Sequence, residues 1–207
     1  MSKRIYLCLA HMSGNEMDYI QEAFDTNWVV PLGPNVNGFE ADLEEFVNSI
    51  KVDEAGERKI VDFSVGGKAV NFSLEVSVDD KKGTTNKKAL DKKVVALSAG
   101  TAAVHLALLA CGVGPGDEVL VQSFTFCASS HPVTYLGATP VFIDSEEDTW
   151  NMDPHLLEEA IKDRMAKTGK KPKAIVPVYL YGMPAKIDEI MAVADRYDIP
   201  VIEDAAE

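Results

Sequence analysis

From residue 93 onward the chain alternates short apolar runs with helical patterns, and this rhythm constrains the fold more than any other feature. The runs are KVVALSAG (93–100), DEVLVQSF (117–124), TPVFID (139–144), KAIVPVYLYG (173–182) and IPVIED (199–204). Between them lie TAAVHLALLACG, ASSHPVTYLG, LLEEAIKDRMAK and PAKIDEIMAVADRYD, which read as helices; the first ends at a glycine. A strand that is apolar without alternating is covered on both faces. Five such strands separated by helices predict an α/β fold: a mostly parallel sheet with helices on both sides. Asp153-Pro154 marks one helix start, with a capping side chain followed by proline at the first helical position.

The first ninety residues do not share the rhythm. Ser13 with Glu16 three residues later predicts a capping box, and Met17, Ile20, Ala23 and Phe24 follow at helical spacing. WVVPLGPNVNG (28–38) reads as a loop because of its two prolines and two glycines. Phe39, Leu43, Phe46, Val47 and Ile50 then mark an amphipathic helix. Residues 51–93 hold ten of the twenty Lys and Arg but only eight of the thirty-three Asp and Glu. This stretch reads as a solvated insertion. Within it KIVDFSVG and AVNFSLEVSV alternate like two strands of a hairpin around Gly66–Gly67, followed by a loop, DDKKGTTNKKALDKK. Three regions are therefore expected: 1–50, a helical segment; 51–93, a polar insertion; and 94–207, an α/β domain.

Composition removes several functions. The net charge of −13 argues against nucleic acid and anionic membranes, which both need basic surface. The apolar runs are too short to span a bilayer, and IYLCLA is too short for the core of a signal peptide. Three cysteines without CxxC spacing give neither a disulfide framework nor a zinc signature, and suit a reducing cytoplasm. Cys111 and Cys127 read as small apolar fillers, and His105 as a packed histidine on an apolar helix.

In an open α/β sheet, ligands bind beyond the carboxyl ends of the strands. Four groups of residues lie there: Ser98–Thr101, Ser123–Phe126, Tyr179–Gly182 and Asp204–Glu207. In SAGTAA, Gly100 and Thr101 either cup a phosphate at a helix N-terminus or simply cap that helix. There is no GxGxxG and no GK[ST]. Phe126 is either a stacking aromatic or a rim residue. Asp204 either pairs with a cationic ring nitrogen or caps the next helix. Taken together, a phosphate cup, an aromatic and a buried acid on successive strand ends suit pyridoxal phosphate (PLP).

The strings VVALSAGTAAVHLALLACGVGPGDEVLVQSFTFCASS, GATPVFID, VPVYLYGMPAKIDEI and VIEDAAE resemble the DegT/DnrJ/EryC1 aminotransferases, as does HMSGNEMDYIQEAFDTNWVVPLGPNVNGFE. The resemblance covers residues 5–50 and 94–207, and within the family is greatest to enzymes that make amino-deoxy sugars for surface polysaccharide and glycoprotein. It implies the large domain of the aspartate-aminotransferase fold, in its N-terminal half, with residues 51–93 as a hairpin insertion. It implies an enzyme that uses PLP to move an amino group from glutamate to a nucleotide-linked keto-sugar. Gly100 and Thr101 match residues that hold the cofactor phosphate, Phe126 the aromatic stacked on the ring, and Asp204 the acid on the pyridinium nitrogen. Glu207 matches a residue beside the ring hydroxyl, and Trp28–Pro34 a loop near the substrate entrance. The family's Schiff-base lysine follows EDAA, after the last residue here, and neither Lys173 nor Lys186 matches it. The 207 residues alone are therefore expected to be inactive, with no catalytic residue, no metal, a cytoplasmic location and self-association into a homo-oligomer through an uncovered sheet edge. A phosphate- or nucleotide-binding module without catalysis, or a structural subunit, is the alternative.

Overall fold

The computed structural model describes residues 12–52, 58–60, 63–65, 68–70 and 93–206. The chain divides into two compact units, Met1–Ala96 and Leu97–Glu207.

In the first unit, helix α1 spans Glu16–Asp25 and α2 spans Pro34–Ser49. Half of the expected capping box forms. The Glu16 carboxylate accepts from the N–H groups of Ser13 (2.6 Å) and Gly14 (2.9 Å). The Ser13 hydroxyl, however, accepts from Asn15, which is itself the N-cap. The loop expected over 28–38 ends early, because Pro34 opens α2: a first-turn proline lacks only an N–H that the helix would not use. Strands β1 (Ile50–Val52) and β2 (Arg58–Ile60) pair antiparallel, as do β3 (Phe63–Val65) and β4 (Lys68–Val70), with Val65 opposite Lys68. Of the expected hairpin only β3 and β4 are described as a pair; Lys59 and Ile60 belong instead to β2, and 71–78, Gly66–Gly67 and the loop at 79–92 lie outside the described residues.

KVVALSAG is not a strand. Residues 93–97 carry no ladder. Two of the backbone N–H groups, of Val94 and Ala96, donate instead to the carboxylates of Glu44 (3.2 Å) and Glu40 (2.7 Å) on α2. An apolar run is compatible with a strand, but only a neighbouring strand makes it one.

The second unit carries the expected rhythm: α3 (Gly100–Ala110), β5 (Glu118–Gln122), α4 (His131–Tyr135), β6 (Thr139–Ile143), α5 (Pro154–Thr168), β7 (Ala174–Val176) and α6 (Ile187–Tyr197). The three strands are parallel in the order β6-β5-β7. Val201 and Asp204 extend the sheet past β7 through single parallel bridges to Ile175 and Val178, so IPVIED is an edge segment rather than a full strand. Pro140 sits in β6 at the opposite edge, where a missing N–H is tolerated.

Successive residues of each strand face opposite layers. Leu120, Ile143 and Ile175 pack with Leu157, Ile161, Ile190, Val193 and Ala194 of α5 and α6. Val119, Val121, Ala174 and Val176 pack with Val104 and Leu108 of α3 and Val133 of α4. The sheet therefore has helices on both faces. Asp153 caps α5 as expected, accepting from the N–H groups of His155 (2.7 Å) and Leu156 (3.3 Å). Gly169 closes α5 with φ +72°, a left-handed conformation that costs glycine little. The Arg164 guanidinium clamps Glu118 with two bonds of 2.9 and 2.6 Å, joining α5 to β5. Glu158 of α5 gathers Arg196 and Tyr197 of α6, together with Lys162, and these bonds hold its carboxyl at about 2.

His105 is only half-buried and meets Tyr135 edge to face at 5.8 Å. Cys127 is exposed, so it fills no core; Cys111 is partly buried against the α3 layer. No helix among the described residues is long and apolar enough to cross a membrane.

Candidate functional site

Because β5, β7 and the 201–204 segment run parallel, their carboxyl ends open on the same edge of the sheet as the N-terminus of α3. A hollow of about 220 Å³ lies there. Gly100 and Thr101 at the start of α3, Thr125, Phe126 and Ser129 after β5, Val178 to Leu180 after β7, and Asp204 are among its lining residues. Four of the five residues singled out from the sequence thus meet around one cavity. Glu207 lies outside the described residues, and Trp28–Pro34 belongs to the other unit.

Each residue has a local cause. The first N–H groups of a helix have no partner within it, and no side chain caps α3 at Ala99. A Cβ built on Gly100 would meet nothing within 4 Å. Neither its φ nor its packing calls for glycine. Phe126 stands just before a single turn of 3-10 helix, Cys127–Ser129, and is 77% exposed. An aromatic ring left so open offers a face for stacking. Asp204 is fixed through its backbone: its N–H donates to the Pro177 carbonyl (3.0 Å), and its carbonyl accepts from Tyr179 (3.2 Å). Its carboxylate accepts from the Ser129 hydroxyl at 2.7 Å.

Behind the hollow lies a polar pair that the sequence reading passed over. Gln122 and Asn151 are completely buried. Gln122 Oε1 accepts from the N–H groups of Met152 (2.9 Å) and Val178 (3.2 Å), and its amide donates to Phe124 O and Asn151 Oδ1. Asn151 in turn accepts from Leu180 N–H (2.9 Å) and donates to Met183 O (2.9 Å). Two side chains thereby hold the loops after β5 and β7 in register. A glutamine ending the apolar run VLV (119–121) was the available signal, since a buried polar group needs partners. Glu146 buttresses the turn leading into Asn151. Burial pushes its carboxyl up, but bonds from Thr149, Lys186 and the Asp148 and Thr149 backbone outweigh this and hold it at about 2.

A glycine-led helix start, an open aromatic and an anchored carboxylate around one hollow can receive a planar, phosphorylated, cationic ring. The sequence match is of the same kind. The family model described as the DegT/DnrJ/EryC1/StrS aminotransferase family matches residues 84–207, more than half of the chain.

The chain belongs to this family. It is 44% identical over all 207 residues to EpsN of Bacillus subtilis (strain 168), and covers 42% of that protein. It is 38% identical over 204 residues, 99% of the chain, to the GDP-perosamine synthase of Caulobacter vibrioides, again covering 42% of the relative. Among solved structures, NtdA from Bacillus subtilis with bound cofactor PMP superposes with a TM-score of 0.60 at 27% identity, over 91% of this chain and 33% of that one. The chain thus spans well under half the length of the family members it matches.

Proposed function

We propose that this chain forms the cofactor-holding part of a PLP-dependent aminotransferase that moves an amino group from glutamate to a keto-sugar carried on a nucleotide. The observation that carries the reading is the convergence of Gly100, Thr101, Phe126 and Asp204 on one hollow. The names of the relatives support it: one is a GDP-perosamine synthase and another was solved with the cofactor PMP.

In this reading the first N–H groups of α3 bind the phosphate, with Gly100 leaving space for it. Phe126 covers one face of the ring. Asp204 accepts from the ring nitrogen and keeps the proton there. When bound there, PLP would supply an electron sink for the amino acid substrate. Glu207, which matches the family position beside the ring hydroxyl, is assigned that role on resemblance alone. A cytoplasmic location and assembly into a homo-oligomer complete the proposal, as does the role of residues 51–93 as an insertion in the family fold.

PLP titrated into the full chain, followed by absorbance and fluorescence, is expected to bind saturably. Gly100→Ala should weaken that binding by about tenfold while changing fold stability by no more than ~0.5 kcal/mol, because its Cβ meets only open space. Unchanged affinity in Gly100→Ala, or no PLP binding at all, would overturn the reading. A second reading, a phosphate- or nucleotide-binding module without catalysis, draws on one observation: the glycine-led start of α3 at the hollow suits a phosphate of any kind. Nucleotide binding without PLP binding would favour it.

A further inference from the structure

Asp204 does not stand alone at its strand end. Its Oδ2 accepts from the Ser129 hydroxyl at 2.7 Å, and Ser129 Oγ lies 3.0 Å from Thr125 Oγ1. Ser129 is 1% exposed and comes from the turn after β5, seventy-five residues from its partner. A hydroxyl has one proton, and an ionised carboxylate only accepts. The Phe126 carbonyl, at 3.3 Å, is the competing acceptor for that proton. The shorter contact to a charged acceptor wins. With its proton committed to Asp204, Ser129 must accept from Thr125. The order of donation is therefore Thr125 to Ser129 to Asp204.

Ser129 also grips the other wall of the hollow. Its backbone N–H donates to the Phe126 carbonyl at 3.2 Å. One buried residue thus ties the open aromatic through its backbone and the carboxylate through its side chain. The bond to Oδ2 leaves Oδ1 for the occupant of the hollow.

We infer that Ser129, backed by Thr125, is a positioning residue that sets the Asp204 carboxylate relative to the Phe126 ring, so that one oxygen meets the in-plane nitrogen of a ring stacked on that aromatic. The inference rests on the cofactor reading above. It adds a two-hydroxyl relay to the site, and it makes Ser129 act only through Asp204.

The test is a double-mutant cycle on the full chain, read as the PLP dissociation constant and as the pH titration of the bound ring's absorbance. Ser129→Ala should weaken PLP binding by about tenfold, the size expected for one lost hydrogen bond to a charged group. It should also move the ring's titration in the same direction as Asp204→Ala does. Ser129→Thr, which keeps the hydroxyl, should stay within about threefold of wild type. In the Asp204→Ala background, Ser129→Ala should add less than a factor of about two. Thr125→Val repeats the cycle one step further out, with a smaller effect that also vanishes without Asp204. It serves where Ser129→Ala fails to fold. Equal losses in both backgrounds, or an unmoved ring titration in Ser129→Ala, would make Ser129 a packing residue and overturn the inference while sparing the cofactor reading. Absence of PLP binding by the wild-type chain would remove both.

Discussion

Helices α1 and α5 both present an apolar stripe, yet they meet different fates. In the Leu97–Glu207 unit, Leu157 and Ile161 of α5 are fully buried against the sheet and α6. In the Met1–Ala96 unit, α1 buries none of its residues, and Met17, Ile20 and Phe24 are exposed. The buried apolar side chains of the second unit run from Val104 to Ile199. The difference teaches that periodicity reports which face of a helix is apolar, but not what covers it. A parallel sheet brings its own cover, because each strand needs helices on both sides. A helix outside such a sheet, like α1, has no such guarantee.

The sharpest way to break the comparison is to cut into both stripes. Ile161→Ala removes buried methyl groups from a packed layer and should cost about 2–5 kcal/mol, read by chemical denaturation of the second unit. If it costs less than ~1 kcal/mol, that layer is not a core. Gln122→Leu should follow at about 2–3 kcal/mol. The new side chain is apolar and similar in size, but it strands the buried N–H groups of Met152 and Val178. A neutral outcome would mean that the two loops hold their register without it.

Acid should act on the second unit as well. Glu146 and Glu158 are both held at about 2 by their partners, below the ordinary 4.5. A lowered folded-state value means the carboxylate's contribution is present above pH 4.5 and drains away as pH falls toward 2. Thermal melts at pH 5.5 and 2.5 should therefore show a larger loss in wild type than in Glu146→Gln or Glu158→Gln. Equal losses in all three would mean that neither cluster contributes.

What could be read from the chain follows the same division. Asp153-Pro154 signalled the start of α5 because capping is local: donor and acceptor are two or three residues apart. The position of Asp204 at the hollow was legible because parallel strands deliver their last residues to one edge, while the residues alone left open whether it pairs with a ring nitrogen or caps a helix. Ser129 was not legible. A serine in CASS looks like turn material, and the partner that gives it meaning is reached only when β5 and the 201–204 segment align in space. KVVALSAG misled for the converse reason: its pattern suits a strand, but Glu40 and Glu44 take two of its backbone N–H groups. His105 read as packed because it lies on an apolar helix, and Cys127 as a small apolar filler, but which side of a short helix or turn faces inward was decided by packing.

The smallest expected effect is the most informative about the first unit. Ile20 sits mid-way along α1 and is 47% exposed. Alanine there loses little burial and gains slightly in helix propensity, so Ile20→Ala should change stability by no more than ~0.5 kcal/mol. Amide exchange across α1 should likewise remain fast relative to β5 and β7, since exposed helices open locally without global unfolding. A cost of ~2 kcal/mol, or slow exchange in α1, would mean that the Met17–Ile20–Phe24 stripe is covered in solution. Repeating the measurement over a hundredfold range of protein concentration then identifies the cover: protection that rises with concentration comes from a second copy of the chain, whereas protection that does not comes from within it.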